Sequence, residues 1–137
     1  MTRPPVITRL STSAVRVIAS DESLPAVFFC AAGKDRTGVL AAVVLGSLGV
    51  RDDDIIEDYV LTGETVDRVI GRFAENPGAP AMYRDNPPSH FAPYAETMER
   101  VIAHVRDEYG SFAGYVTTHG VTRETLDALS ASLLERE

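Results

Sequence analysis

Apolar side chains recur at helical spacing along most of this chain. Val66, Val69, Ile70 and Phe73 lie at i, i+3, i+4 and i+7, which predicts a helix over residues 62–74. A longer stripe of the same kind runs from residue 91 to residue 109, and we expect the following glycine to end it. The pattern also predicts helices over 11–20, 37–48, 111–119 and 123–135, and one that begins at 52.

The run LPAVFFC at residues 24–30 does not follow the helical pattern. It is short, apolar and rich in Val and Phe, and a glycine-containing loop follows it, which predicts a buried strand. PPVITRL at residues 4–10 is a weaker candidate for a second strand, and the proline-rich residues 75–88 are expected to form a loop.

A buried strand needs neighbours on both sides to satisfy its backbone N–H and C=O groups. This chain offers few strands of its own, so we expect an α/β fold of which it forms a mainly helical, C-terminal part. The other strands would come from a partner chain or from exchange with a second copy, or would have been lost through a truncated reading frame.

The composition of the chain indicates one soluble globular domain over residues 1–137, with 45% hydrophobic and 24% charged residues. A net charge of -7 disfavours a nucleic-acid partner. The apolar run at residues 39–50 is shorter than the roughly 20 residues of a membrane span and predicts a buried helix. No signal peptide is apparent, so we expect a cytoplasmic protein, and secretion without a signal peptide stays open.

Cys30 is the only cysteine and Lys34 the only lysine, and they lie four residues apart in FFCAAGKDRTG. A lone cysteine is inert core, a nucleophile or an oxidation target. Here it would lie before the N-terminus of a helix, whose backbone N–H groups favour anions. Such surroundings lower the pKa of a thiol, while Arg36 offers a planar fork for two phosphate oxygens and the Thr37 hydroxyl can donate to the sulfur.

CAAGKDRTG resembles the signature loop of the cysteine-dependent protein tyrosine phosphatases, Cys, any five residues, Arg, then Thr or Ser and Gly. The version with GKDRTG is similar to a bacterial group that is active on phosphotyrosine and phosphoinositides. DYVLTGE at 58–64, ETM at 96–98 and HGVTRETLDAL at 119–129 are similar to the helical second half of that group, so the likeness covers nearly all of 11–135.

The resemblance implies hydrolysis of phosphate monoesters, phosphotyrosine or phosphoinositide, through a phosphocysteine intermediate and without a metal or other cofactor. It makes Cys30 the nucleophile and Arg36 the phosphate clamp, and Asp35 lies where myotubularin-type lipid phosphatases carry an aspartate proposed as the general acid. The same resemblance assigns substrate binding to the rest of the loop, with Lys34 as a positive charge at its rim: Ala31, Ala32, Gly33, Lys34, Thr37 and Gly38.

Phe29 departs from this family pattern, because a histidine normally precedes the cysteine and hydrogen-bonds within the loop. A modestly raised thiol pKa or a loosened loop would follow. The alternatives are therefore a phosphate-binding remnant without catalysis and, less favoured, a sulfur-transfer or arsenate-reducing role. Asp35 as a loop cap and Lys34 as a solvated charge are the simpler interpretations of those two residues.

Other acidic and imidazole groups have structural explanations. The three aspartates at 52–54 are typical of an acidic first helical turn rather than a metal site. The histidines follow no ligand spacing and are interpreted as structural: His90, His104 and His119.

Overall fold

The computed structural model describes residues 6–135, which form eight α-helices and no β-strand. The helices are α1 (Val6–Ile18), α2 (Asp35–Ser47), α3 (Asp52–Leu61), α4 (Gly63–Glu75), α5 (Met82–Asp85), α6 (Ala95–Tyr109), α7 (Phe112–Thr118) and α8 (Arg123–Leu133). Short 3-10 helices lie at Asp21–Ser23 and Pro88–Phe91.

Helix α2 lies at the centre of the main core. Its sequence is apolar on nearly every side because α1, α3 and α7 all pack against it, and Ala42 and Val43 are almost fully buried. Helix α6 packs against α3 and α7, and α8 packs against α1. This helical frame holds the N-terminus of α2, and therefore the loop before it, in a fixed position.

A second, smaller core lies under α4, α5 and the 3-10 helix at Pro88–Phe91. Val66, Ile70 and Phe91 are buried in it, and Tyr83 stacks on Phe91 with ring centres 5.4 Å apart. Ala32 of the loop after Cys30 packs against this cluster. The candidate loop therefore lies between the two cores.

Most of the helices predicted from the apolar pattern are confirmed, with shifted ends. Gly110 follows α6 at φ +77°, a conformation that favours glycine, and the Thr122 hydroxyl caps α8 by accepting from the Thr125 N–H. The three aspartates form the first turn of α3, as predicted.

Two local predictions were wrong. Residues 6–10 of the weaker strand candidate are helical, because they begin the amphipathic helix α1, while residues 4–5 lie outside the described part of the chain. The predicted loop at 75–88 contains the short helix α5, which fits between its prolines and places Tyr83 in the smaller core.

The prediction of a buried strand at residues 24–30 was also wrong for the part of the chain that the structure describes. Residues 26–30 run without helix, turn or bend, but no strand lies beside them. Val27 is 87% exposed and Phe29 83% exposed. We call residues 24–30 the linear segment. An α/β fold therefore does not appear within residues 6–135.

None of the described helices combines the length and the apolar character that crossing a membrane requires.

Candidate active site

The linear segment ends at Cys30, and the loop that follows leads directly into α2. Gly33 adopts φ +67°, a left-handed conformation that other residues rarely tolerate, and this turns the chain back towards the sulfur. Asp35 begins α2, two residues earlier than the sequence pattern predicts. The first turn of α2 therefore includes Arg36 and Thr37.

Cys30 is a partly exposed free thiol whose pKa is lowered. Burial raises its pKa, but hydrogen bonds from the Thr37 hydroxyl and from the backbone of Thr37, Lys34 and Gly33 outweigh burial and bring the pKa to about 7. Thr37 Oγ1 is buried and has no nitrogen or oxygen partner, so its hydroxyl is left for the sulfur. Near neutral pH a large share of Cys30 is therefore the nucleophilic thiolate.

Phe29, which replaces the histidine expected before the cysteine, is mostly exposed and takes no part in this lowering of the thiol pKa. Hydrogen bonds from the loop backbone and from Thr37 are sufficient to lower the pKa of Cys30. The lowered pKa of Cys30 thus does not depend on the residue that departs from the family pattern.

Arg36 lines the same groove as Cys30, and its guanidinium has no ion pair or hydrogen bond with another described residue. Both residues line a groove of about 290 Å³. An unpaired guanidinium next to a thiolate can bind two oxygens of an incoming phosphate group.

The groove is mainly apolar apart from these reactive groups. Helix α1 forms one side, the linear segment and the start of α2 form the other, and the lining residues are Leu10, Ser11, Ala14, Phe28, Phe29, Cys30, Arg36, Thr37 and Leu40. The sequence pattern did not predict the contribution of α1. The available signal was Leu10, an apolar residue of α1 that the core leaves 59% exposed.

Lys34 and Asp35 form an ion pair in which the Lys34 ammonium donates to Asp35 Oδ1 at 2.6 Å. The Lys34 side chain is 11% exposed and that of Asp35 is 71% exposed. Lys34 thus lies largely below the surface of the loop. Asp35 does not line the groove that holds Cys30 and Arg36.

Tyr59 supports this loop from α3 and was not predicted as a functional residue, although it belongs to the DYVLTGE segment. Its ring is buried against Gly38 in the first turn of α2. Burial raises the pKa of Tyr59, the Lys34 ammonium opposes that rise, and the Asp35 carboxylate adds to it. The phenol therefore lies within electrostatic reach of the Lys34–Asp35 pair.

The structure separates the predicted site residues. Cys30, Arg36 and Thr37 meet in one groove, and Lys34 and Asp35 pair with each other near Tyr59. Ala32 and Gly38 are held by packing against the two cores, Gly33 forms the left-handed turn, and Ala31 is exposed in the loop. Within residues 6–135 no three His, Cys, Asp or Glu side chains come together as a metal-ion site.

The sequence model for the tyrosine phosphatase family matches residues 8–135. The chain is 28% identical over 127 residues to "Triple specificity protein phosphatase PtpB" of Mycobacterium tuberculosis, covering 80% of this chain and 44% of that protein. It is 27% identical over 121 residues to "Tyrosine-protein phosphatase" of Nostoc commune, covering 85% of this chain and 41% of that protein. The chain thus spans less than half the length of these relatives.

Proposed function

This chain belongs to the tyrosine phosphatase family, and on that premise we propose that it hydrolyses phosphate monoesters through a phosphocysteine intermediate on Cys30. The observation that carries the proposal is the meeting, in one groove, of a thiol with a pKa of about 7 and a guanidinium that no residue of the described part of the chain pairs with. A thiolate supplies the nucleophile, and the cation offsets the charge of the phosphate and of its transition state.

Two displacements at phosphorus make up the proposed reaction. The Cys30 sulfur forms a bond to phosphorus, the bond from phosphorus to the ester oxygen breaks, and that oxygen leaves with the electron pair and takes a proton. Water then attacks the phosphocysteine and gives one proton to the group that protonated the leaving oxygen, the sulfur–phosphorus bond breaks, and phosphate leaves as the thiolate returns. Arg36 and the backbone N–H groups of the loop hold the phosphoryl oxygens through both steps.

Asp35 is the proposed donor of the proton to the leaving oxygen. It begins α2 next to Arg36, but its carboxylate is paired with Lys34. To act as an acid it has to separate from the ammonium, take up a proton and turn towards the groove. A bound phosphate dianion competes with Asp35 for Lys34, so substrate binding itself favours that separation.

The proposed substrate is a phosphorylated tyrosine or a phosphoinositide. The apolar lining beside Cys30, with Phe28 and Leu40 on one side and Leu10 on the other, supports an aromatic leaving group. The proposal also includes a cytoplasmic location and an α/β fold, in which the linear segment becomes a strand once its backbone finds partners.

A second candidate function is phosphate binding without turnover. The 2.6 Å pair between Lys34 and Asp35 favours this alternative, because it occupies the proposed general acid. The same groove would then bind a phosphate group through Arg36 and the loop and would release it unchanged.

Hydrolysis of p-nitrophenyl phosphate by the wild type and by Cys30→Ser separates these two functions. p-Nitrophenolate leaves readily, so the assay tests the thiolate largely independently of the general acid. We expect release by the wild type only. Equal release by both proteins would contradict the nucleophilic role of Cys30, and binding of inorganic phosphate without release would favour the second function.

A further inference from the structure

The ammonium group of Lys34 lies largely below the surface and has a single acceptor. The Lys34 side chain is 11% exposed, and its Nζ donates to Asp35 Oδ1 at 2.6 Å. An ammonium has three N–H donors, but no other residue of 6–135 accepts from this one. When Asp35 leaves, Lys34 therefore becomes a mostly buried cation without a partner, which is unfavourable.

Tyr59 of α3 lies against the helical turn that begins at Lys34. The Gly38 N–H donates to the Lys34 carbonyl at 2.8 Å, and a Cβ atom added to Gly38 would lie 2.9 Å from Cε2 of Tyr59. Cε2 is bonded to the ring carbon that carries the hydroxyl group. The hydroxyl end of the ring is thus held beside this turn.

The Tyr59 hydroxyl has no hydrogen bond with another described residue, although Tyr59 is only 5% exposed. A buried tyrosine hydroxyl usually has a partner. Burial raises the pKa of Tyr59, so the phenol is uncharged at neutral pH and its oxygen can accept from a cation. The Lys34 ammonium lies within electrostatic reach of it. An ammonium that is short of acceptors and a phenol oxygen without a donor therefore lie in the same part of the loop.

We propose that Tyr59 is a positioning residue for Lys34, and that its phenol oxygen accepts a hydrogen bond from the ammonium when the Lys34–Asp35 pair opens. The opened pair frees Asp35 to act as the general acid, so this inference rests on the proposed function. The other N–H groups of Lys34 stay available to the phosphate. Tyr59 does not line the groove that holds Cys30, so it acts through Lys34 and not on the substrate.

Tyr59→Phe separates this role from packing, because it keeps the ring that lies on Gly38 and removes only the oxygen. Tyr115→Phe is the matched control. Tyr115 lies in α7 and is also buried, and its ring packs against Tyr109 and His119.

Proton exchange of the Lys34 ammonium tests the hydrogen bond directly. Lys34 is the only lysine, so lysine labelled with heavy nitrogen gives one side-chain ammonium signal in NMR. Asp35→Ala removes the first acceptor. We expect slow exchange with water in Asp35→Ala, exchange about tenfold faster in Asp35→Ala/Tyr59→Phe, and no such increase in Asp35→Ala/Tyr115→Phe.

Turnover of two substrates tests the consequence for Asp35. With a phosphotyrosine peptide, Tyr59→Phe should lower kcat about tenfold and leave KM unchanged, because the opened pair loses one hydrogen bond and is less populated. With p-nitrophenyl phosphate the same variant should equal the wild type, since that leaving group does not need an acid. Tyr115→Phe should change neither rate.

Equal ammonium exchange in Asp35→Ala with and without the Tyr59 hydroxyl would overturn the proposal, as would fast exchange already in Asp35→Ala. A loss of kcat that is equal for the two substrates, or absent for both, would also overturn it. Failure of the proposed function looks different. In that case the wild type turns over neither substrate, and ammonium exchange alone decides whether Tyr59 holds Lys34.

Discussion

The ring of Tyr59 lies directly on Gly38. A Cβ atom added to Gly38 would lie 2.8 Å from Cδ2 and 2.9 Å from Cε2 of Tyr59. Tyr59 is 5% exposed and cannot move aside without disturbing the core. The glycine that ends the signature loop therefore has a packing reason, because it lets α3 approach the first turn of α2 that carries Arg36 and Thr37.

Gly38→Ala should destabilise the protein by about 1–3 kcal/mol, because the added methyl group overpacks the contact with Tyr59. Gly71→Ala is the matched control, since Gly71 lies in helix α4 with open space around it. That control should stabilise the helix by roughly 0.5–1 kcal/mol. Urea unfolding of both variants provides the measurement, and equal effects of the two substitutions would refute the packing role.

Thr37→Val should raise the pKa of Cys30, because it removes the side-chain hydrogen bond that favours the thiolate. The rate of alkylation by iodoacetamide follows the thiolate, so in the wild type it should rise with pH and level off above a midpoint near 7. In Thr37→Val the midpoint should lie at higher pH. Thr117→Val, in helix α7, is the control, and a midpoint that both variants share would disprove the role of Thr37.

Arg36→Lys should weaken the binding of inorganic phosphate by roughly tenfold to a hundredfold, because lysine keeps the charge but loses the two-pronged hydrogen bond. Arg100→Lys changes an exposed arginine of α6 in the same way and should leave binding unchanged. Each arginine substitution is combined with Cys30→Ser, and isothermal titration calorimetry then measures phosphate binding without turnover. Comparable affinity in the two variants would argue against Arg36 as the phosphate clamp.

Asp52→Asn should lower stability at neutral pH by breaking the two-pronged pair with Arg106, whose Nη2 lies 2.6 Å from Asp52 Oδ1. The hydrogen bond from Arg106 lowers the pKa of Asp52 in the folded protein, so this stabilisation is full above the usual carboxyl range and is lost as pH falls through the lowered value. The difference in the free energy of unfolding between wild type and Asp52→Asn should therefore disappear below the lowered pKa of Asp52.

Asp53→Asn removes a charge from the same first turn of α3, but Asp53 has no ion pair among the described residues. Asp53→Asn should therefore lower the free energy of unfolding less than Asp52→Asn does, and its effect should not depend on the Arg106 pair. Chemical unfolding at pH 7 and at a pH below the lowered pKa of Asp52 compares the two variants, and a gap for Asp52→Asn that persists at the lower pH would rule out the ion pair as its cause.

The helices were predictable because apolar spacing, caps and glycine stops are local. The stripe that ends at Gly110 and the Thr122 cap required no knowledge of distant residues. The linear segment was not predictable in the same way, because a strand forms only when another strand lies beside it. Its apolar residues indicate a strand, but within residues 6–135 the hydrogen-bond partners are absent.

The candidate site also contains some features that the local sequence predicts and others that it does not. Cys30, Arg36 and Thr37 lie within one short motif, so their meeting followed from the sequence. The Lys34–Asp35 pair depends on side-chain conformations that no pattern encodes. Tyr59 reaches the loop through the packing of α3 on α2, which is a contact between distant parts of the chain.

Trapping the phosphocysteine intermediate tests the central claim most directly. The chain is mixed with p-nitrophenyl phosphate, quenched in acid within one turnover and digested, and the site of the phosphoryl group is located by mass spectrometry. The account predicts a phosphoryl group on Cys30 in the wild type and none in Cys30→Ser. Release of p-nitrophenolate with no phosphoryl group on Cys30, or with the group on another residue, would contradict it.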